Sequence, residues 1–268
     1  MSRLRRAVVG LLLALVAFLA VLAIEATIAY RTLPDDHFRP PSQAPRAFGR
    51  GAAAPLRYVV LGDSTGAGRG APYERGIAVL TARHLAVRRR VTLSNLAETD
   101  ARLADVRRDQ LAAAARSKPD VVLIAAGAND VTHVTRLGSV RDDLRAIADG
   151  LRARRCDIAI VVTGSGDVGS APRLAQPLRA LAGRRTKQLN EAVEEVARDR
   201  RLVLAPIAER TGRRFRADRS LFAADGFHPS AGGYAAWAVV IEAALDQALA
   251  DVGTRAACRS AVDPPEHR

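Results

Sequence analysis

Asp225 and His228 stand three residues apart in Asp225-Gly226-Phe227-His228-Pro229. At that spacing one tight turn can hold both side chains on the same side. The carboxylate then accepts the imidazole Nδ1–H, and Nε2 is left to take a proton. Such a pair activates a hydroxyl if the chain supplies one. Ser64, in Gly62-Asp63-Ser64-Thr65, is the candidate nucleophile. A serine at a strand-to-helix turn can expose its hydroxyl and point its own N–H at a substrate oxygen. Asn129, in Gly127-Ala128-Asn129-Asp130, offers a side-chain amide suited to an oxyanion. Each segment has a plainer reading alone: a polar turn, a cap after a strand, a His-Pro start to a helix.

The case for chemistry rests on the elements that must position these residues. Apolar runs at 58–61, 91–96, 121–126, 158–163 and 202–204 read as strands. Helical patterns fall at about 74–87, 102–116, 139–154, 178–199 and 232–250. Continuous apolar strands alternating with helices indicate a parallel sheet covered on both faces. In such a sheet, functional residues lie just beyond the C-terminal ends of the strands. Gly62–Thr65 follows the first strand, residues 95–100 the second, and residues 127–130 the third. Asp225 and His228 immediately precede the last helix. Four separated segments therefore converge on one edge of one sheet.

In order and spacing, these blocks resemble those of the SGNH hydrolases, the GDSL esterase/lipase family, over about residues 56–249. The resemblance implies a flavodoxin-like three-layer α/β/α fold with a central five-stranded parallel sheet. It implies hydrolysis of esters without a metal or cofactor. Ser64 takes the place of the family's nucleophile, Asp225 and His228 those of its acid and base, and Asn129 that of an oxyanion donor. The chain departs from the pattern at two points. Thr65 stands where Leu is more familiar. After Asn95, the position aligned with a family Gly, whose N–H lines the oxyanion hole, is Asp100. On this reading the hole is formed by Ser64, Asp100 and Asn129.

Two readings compete. Residues 66–71, Gly-Ala-Gly-Arg-Gly-Ala, fit a dinucleotide fingerprint, but the first glycine lies several residues past the strand end. That reading also leaves Asn129, Asp225 and His228 without a task. The other competitor is a catalytically weak or non-catalytic binding protein on the same fold, which Asp100 favours. His37, His84, His133 and His267 read as surface or loop residues, with no metal-site spacing.

The chain of 268 residues is 49% hydrophobic, enough for a full core. Its net charge of +13 is almost wholly arginine. The arginines are scattered, without interleaved aromatics, so no nucleic-acid partner is expected; mild attraction to anionic lipid stays open. Residues 1–6 carry Arg3, Arg5 and Arg6, and 7–30 are apolar apart from Glu25. We read a cytoplasmic N-terminus (1–6), a transmembrane signal-anchor helix (7–30) and a Pro-rich linker (31–55) that holds the domain off the membrane. A hydrolase domain (56–252) and a polar tail (253–268) follow. The basic end stays inside, so the domain is extracytoplasmic. Cleavage after Ala26 or Ala29, giving a secreted protein, is the alternative. The expected partners are a small-molecule, lipid or glycan ester and the membrane. Cys156 and Cys258 fall on the sheet edge opposite the active site, where an exported domain permits a bridge. Adjacency along an edge does not ensure bridging distance, so two thiols stay open.

Overall fold

The computed structural model describes residues 3–31, 38–39, 42, 44–50, 54–153, 155 and 157–254. Cys156, Cys258 and most of the C-terminal tail lie outside the described residues. Six strands form one sheet: β1 (Arg46–Phe48), β2 (Leu56–Gly62), β3 (Val91–Asn95), β4 (Val121–Ala125), β5 (Ala159–Val162) and β6 (Val203–Leu204). Their order is β1-β3-β2-β4-β5-β6. The five expected parallel strands are present. The sixth, β1, runs antiparallel beside β3, with Arg46 opposite Leu93 and Phe48 opposite Val91. It comes from the stretch read as linker and adds one antiparallel edge strand to the five parallel ones. Three residues between prolines carry no periodicity, so β1 has only its pairing to define it.

The helices are α1 (Arg3–Arg31), α2 (Ser64–Ala67), α3 (Ile77–Ala86), α4 (Leu103–Asp105), α5 (Leu111–Arg116), α6 (Ala128–Thr132), α7 (Leu137–Arg152), α8 (Leu178–Asp199), α9 (Ile207–Ala217) and α10 (Ala231–Thr254). A π-helical turn, Val106–Gln110, joins α4 to α5. Alternate strand residues face opposite layers, as the pleat requires. Val59, Leu61, Val122 and Ile124 pack with Leu144, Ile147, Leu189 and Val193 of α7 and α8. Tyr58, Val60, Leu123 and Val161 pack with Ile77, Phe215, Trp237 and Ile241 of α3, α9 and α10. Helix α9 is absent from the sequence reading because charged residues interrupt its apolar pattern. Only Ile207, Thr211, Gly212 and Phe215 turn inward.

Helix α1 includes one span, Arg5–Ala29, long and apolar enough to cross a membrane. Most of it is exposed, but Leu22, Glu25 and Ala29 are half-covered by the domain. Glu25 Oε2 accepts the N–H of Leu178 at the start of α8, 3.1 Å. The last turns of α1 therefore pack directly on the domain.

Candidate active site

The end of β2 is the foundation of the site. Gly62 has φ +150°, and a Cβ there would lie 1.9 Å from Ala125 O, so only glycine lets β2 pass β4 this closely. Gln110, buried in the π-helical turn, donates to Gly62 O and accepts from Gly62 N, both at 2.9 Å. It completes the strand's hydrogen bonding where no neighbouring strand does. Asp63 then caps α2, its Oδ1 accepting from Thr65 N at 2.8 Å and Thr65 Oγ1 at 2.7 Å. Thr65 thus has a local task that leucine could not perform. Burial pushes the Asp63 carboxyl up, against these hydrogen bonds and the nearby His228, which favour its charged form.

Ser64 heads α2, where helix geometry leaves the first N–H groups without intrahelical acceptors. Its Oγ lies 2.9 Å from His228 Nε2. His228 Nδ1 lies 2.5 Å from Asp225 Oδ2. Asp225 Oδ1 accepts the N–H groups of Phe227 and His228, each at 2.9 Å. These bonds make residues 225–228 the tight turn that the spacing predicts. Burial disfavours the charged Asp225 carboxyl, but the hydrogen bond and charge of His228 and the two N–H groups outweigh it. They hold the carboxyl at about 2. Gly70, at φ +94°, sits where a Cβ would meet Pro229 O at 2.6 Å and His228 Cβ at 2.9 Å. The glycines of residues 66–71 thus include one that lets the chain pass behind the histidine.

The segment after β3 is pinned from both sides. Glu98 N donates to Gly62 O at 3.1 Å. Asn129 Nδ2 donates to Ala101 O at 3.1 Å. Asp100 lies between them at φ +63°, its side chain exposed. The backbone there is the left-handed one that glycine adopts freely and aspartate tolerates better than most residues. Asn95 is buried, donating to Gly66 O at 3.0 Å and accepting from Ala97 N at 3.2 Å. Asp130 is buried too and accepts from Leu103 N at 3.0 Å. Burial pushes its carboxyl up against that bond. Both tie loops together.

All five sequence-predicted residues lie beyond this edge, Ser64 at the head of α2, Asn129 in α6 and the others on loops, and Ser64, His228 and Asp225 form one hydrogen-bonded chain. Gln110 escaped the sequence reading because a lone amide in a helical pattern carries no signal. Arg173 also escaped, as one arginine among many. Its backbone N–H donates to Gly226 O at 3.1 Å, and its Nη1 donates to Asp225 O at 2.9 Å. A cavity of about 40 Å³ lies beside the chain, bounded by Ser64, His228, Phe222, Phe227, Trp237 and residues 164–168. It admits only a few water-sized groups. Among the described residues no cluster of His, Cys, Asp and Glu could hold a metal.

A serine at a strand-to-helix turn, bonded to a His–Asp pair on the C-terminal edge of a three-layer α/β sheet, fits the serine-hydrolase class at large. The chain belongs to the GDSL-like lipase/acylhydrolase family, whose model matches residues 60–236. It is 33% identical over 244 residues to a GDSL-like esterase of Mycobacterium tuberculosis, an alignment covering 85% of this chain and 76% of that one. It is similar in fold to the crystal structure of TesA, with a TM-score of 0.60 at 20% identity over 72% of this chain and 99% of that one. A phospholipase A1 from Streptomyces albidoflavus NA297 gives a TM-score of 0.56 at 20% identity over 71% of this chain and 99% of that one. The chain is a hydrolase of the GDSL esterase/lipase family.

Proposed function

We infer that this chain is a membrane-anchored, extracytoplasmic serine esterase. The observation that carries the reading is the hydrogen-bonded chain Ser64–His228–Asp225 on one sheet edge. Ser64 Oγ attacks an acyl carbonyl while His228 Nε2 takes its proton. Asp225, ionised at neutral pH, fixes the imidazole tautomer and stabilises the imidazolium. The N–H groups of Ser64 and Asp100 and the Asn129 amide bind the oxyanion. His228 returns the proton to the leaving alcohol. Water, activated by the same imidazole, then hydrolyses the acyl-enzyme and frees the acid. Acetylated sugars, lysophospholipids, simple esters and thioesters all offer the required carbonyl. A fluorophosphonate probe tests the mechanism. It is expected to leave one covalent adduct, mapped by peptide mass to residue 64; an adduct elsewhere, or none on folded protein, overturns the reading.

Asp100 gives a second test of the same site. Replacing it with glycine relieves the left-handed backbone and removes a negative charge near the developing oxyanion. Because the carboxylate is exposed, solvent screens it, and turnover of Asp100→Gly on a nitrophenyl acetate should rise only about threefold. The gain should shrink as salt is added. Equal or lower turnover in a folded Asp100→Gly protein would assign Asp100 a different task.

A further inference from the structure

The anchor and the catalytic loop share one side chain. Arg173 bonds Ala29 O of α1 through Nε, 2.5 Å, and Asp225 O through Nη1, 2.9 Å. One turn earlier, Glu25 accepts the N–H that opens α8, where the helix dipole favours a carboxylate. Helices here run antiparallel to the strands they follow, so the start of α8 lies on the active-site edge. The docked residues Leu22, Glu25 and Ala29 lie on one helical face at the C-terminal end of the apolar span. Residues 5–21, exposed in the structure, rise about 26 Å at ~1.5 Å per residue, against a hydrocarbon thickness of about 30 Å. That leaves little length between the membrane surface and the active-site edge.

A second observation lies on the same side. Among the described residues of the domain, the exposed large hydrophobics are Val87, Val134, Leu181 and Val239. Val87 and Val239 belong to the layer of α3 and α10. Leu181 is on α8, one turn past the Glu25 contact, and is 39% exposed. Arg185, four residues on and so on the same face, bonds Thr135 O, next to Val134. Val134 is 68% exposed and held at φ +52°, a conformation β-branched residues rarely adopt. Leu181 is thus presented near the Glu25 contact, and Val134 farther along α8, at the Arg185 end. A side chain of this kind at a lipid surface enters the headgroup boundary.

We propose that the outer leaflet covers the active-site edge and that the substrate is an amphiphilic ester lying in that leaflet. This rests on the esterase reading above and specifies its substrate class. The small cavity fits it. Among the described residues the space beside Ser64 is far below the ~300 Å³ of a ligand-burying pocket, so the acyl chain stays in the leaflet and only the ester group rises to Ser64. Leu181 and Val134 seat the rim, and the Glu25 and Arg173 contacts hold the catalytic loop at that height.

The test uses the full chain in phosphatidylcholine–phosphatidylglycerol vesicles, with tryptophan introduced as Leu181→Trp, Val134→Trp or Val87→Trp. Phosphatidylcholine brominated near its carbonyls is expected to quench the first two and spare the third. No quenching at 181 and 134, or equal quenching at 87, overturns the proposal. A second readout compares a diacyl ester probe in the vesicles with nitrophenyl acetate in solution. Glu25→Ala should slow the vesicle ester about tenfold, the loss of one charge-assisted hydrogen bond, and leave the soluble ester unchanged. Equal effects on both substrates, or none on either, count against the proposal. If the wild type cleaves neither substrate, the esterase reading fails, while the quenching pattern still decides where the edge sits.

Discussion

Ser64→Ala should lower esterase turnover by roughly 10⁴–10⁶ while leaving the domain folded. The serine is buried at the head of α2, and its hydroxyl meets His228 Nε2. Removing one oxygen leaves a small cavity wall and an imidazole nitrogen that water can reach. Neither disturbs Asp63, whose bonds to Thr65 form the turn. The fold therefore survives, and only the nucleophile is lost. His228→Ala should cost nearly as much, because a serine without its base is a poor nucleophile at neutral pH. The double variant should be no slower than either single one, since the two act as a unit. Purified, folded Ser64→Ala with wild-type turnover on nitrophenyl acetate would refute the role given to Ser64.

The parts of this site that were legible share one property: their side chains do chemistry that few residue types can do. A histidine three residues after an aspartate and a serine after a strand leave marks in the sequence. The loops at the strand ends bring them together because the sheet is parallel. What was illegible depends on backbone and on long-range fit. Gln110 works only because a π-helical turn carries its amide to Gly62. Arg173 works only because loop 164–177 passes between α1 and Asp225. Strand β1 has no pattern of its own. The docking of α1 is the largest case. The prolines after residue 31 suggested a spacer, but Leu22, Glu25 and Ala29 recur at helical spacing within a segment whose other residues suit lipid. Among so many apolar residues, only Glu25 could have signalled that this face meets protein. Asp100 was half legible: the need for a left-handed backbone followed from the family's glycine, whereas the exposure of its carboxylate needed the fold.

Asn129→Ala should lower turnover by about 10²–10³, the cost of one missing oxyanion donor. An amide has two N–H donors. One goes to Ala101 O, and the other is the donor we assign to the oxyanion. The two tasks separate by measurement. A donor that acts as charge develops affects kcat and leaves KM nearly unchanged. A tie between loops affects melting temperature and reaches catalysis only through displacement of residues 98–101. Asn129→Asp keeps the shape but presents oxygen to Ala101 O and negative charge to the oxyanion, so it should be slower than the alanine variant. The shared segment gives a sharper check. If Asn129 acts partly by holding Asp100 in place, its removal and Asp100→Gly should combine non-additively, because the two positions share residues 100–101. If it acts as a direct donor, Asp100→Gly should give the same threefold gain with or without it. A folded Asn129→Ala protein with unchanged kcat and a lowered melting temperature would make Asn129 a tie alone and leave the oxyanion to the backbone N–H groups of Ser64 and Asp100.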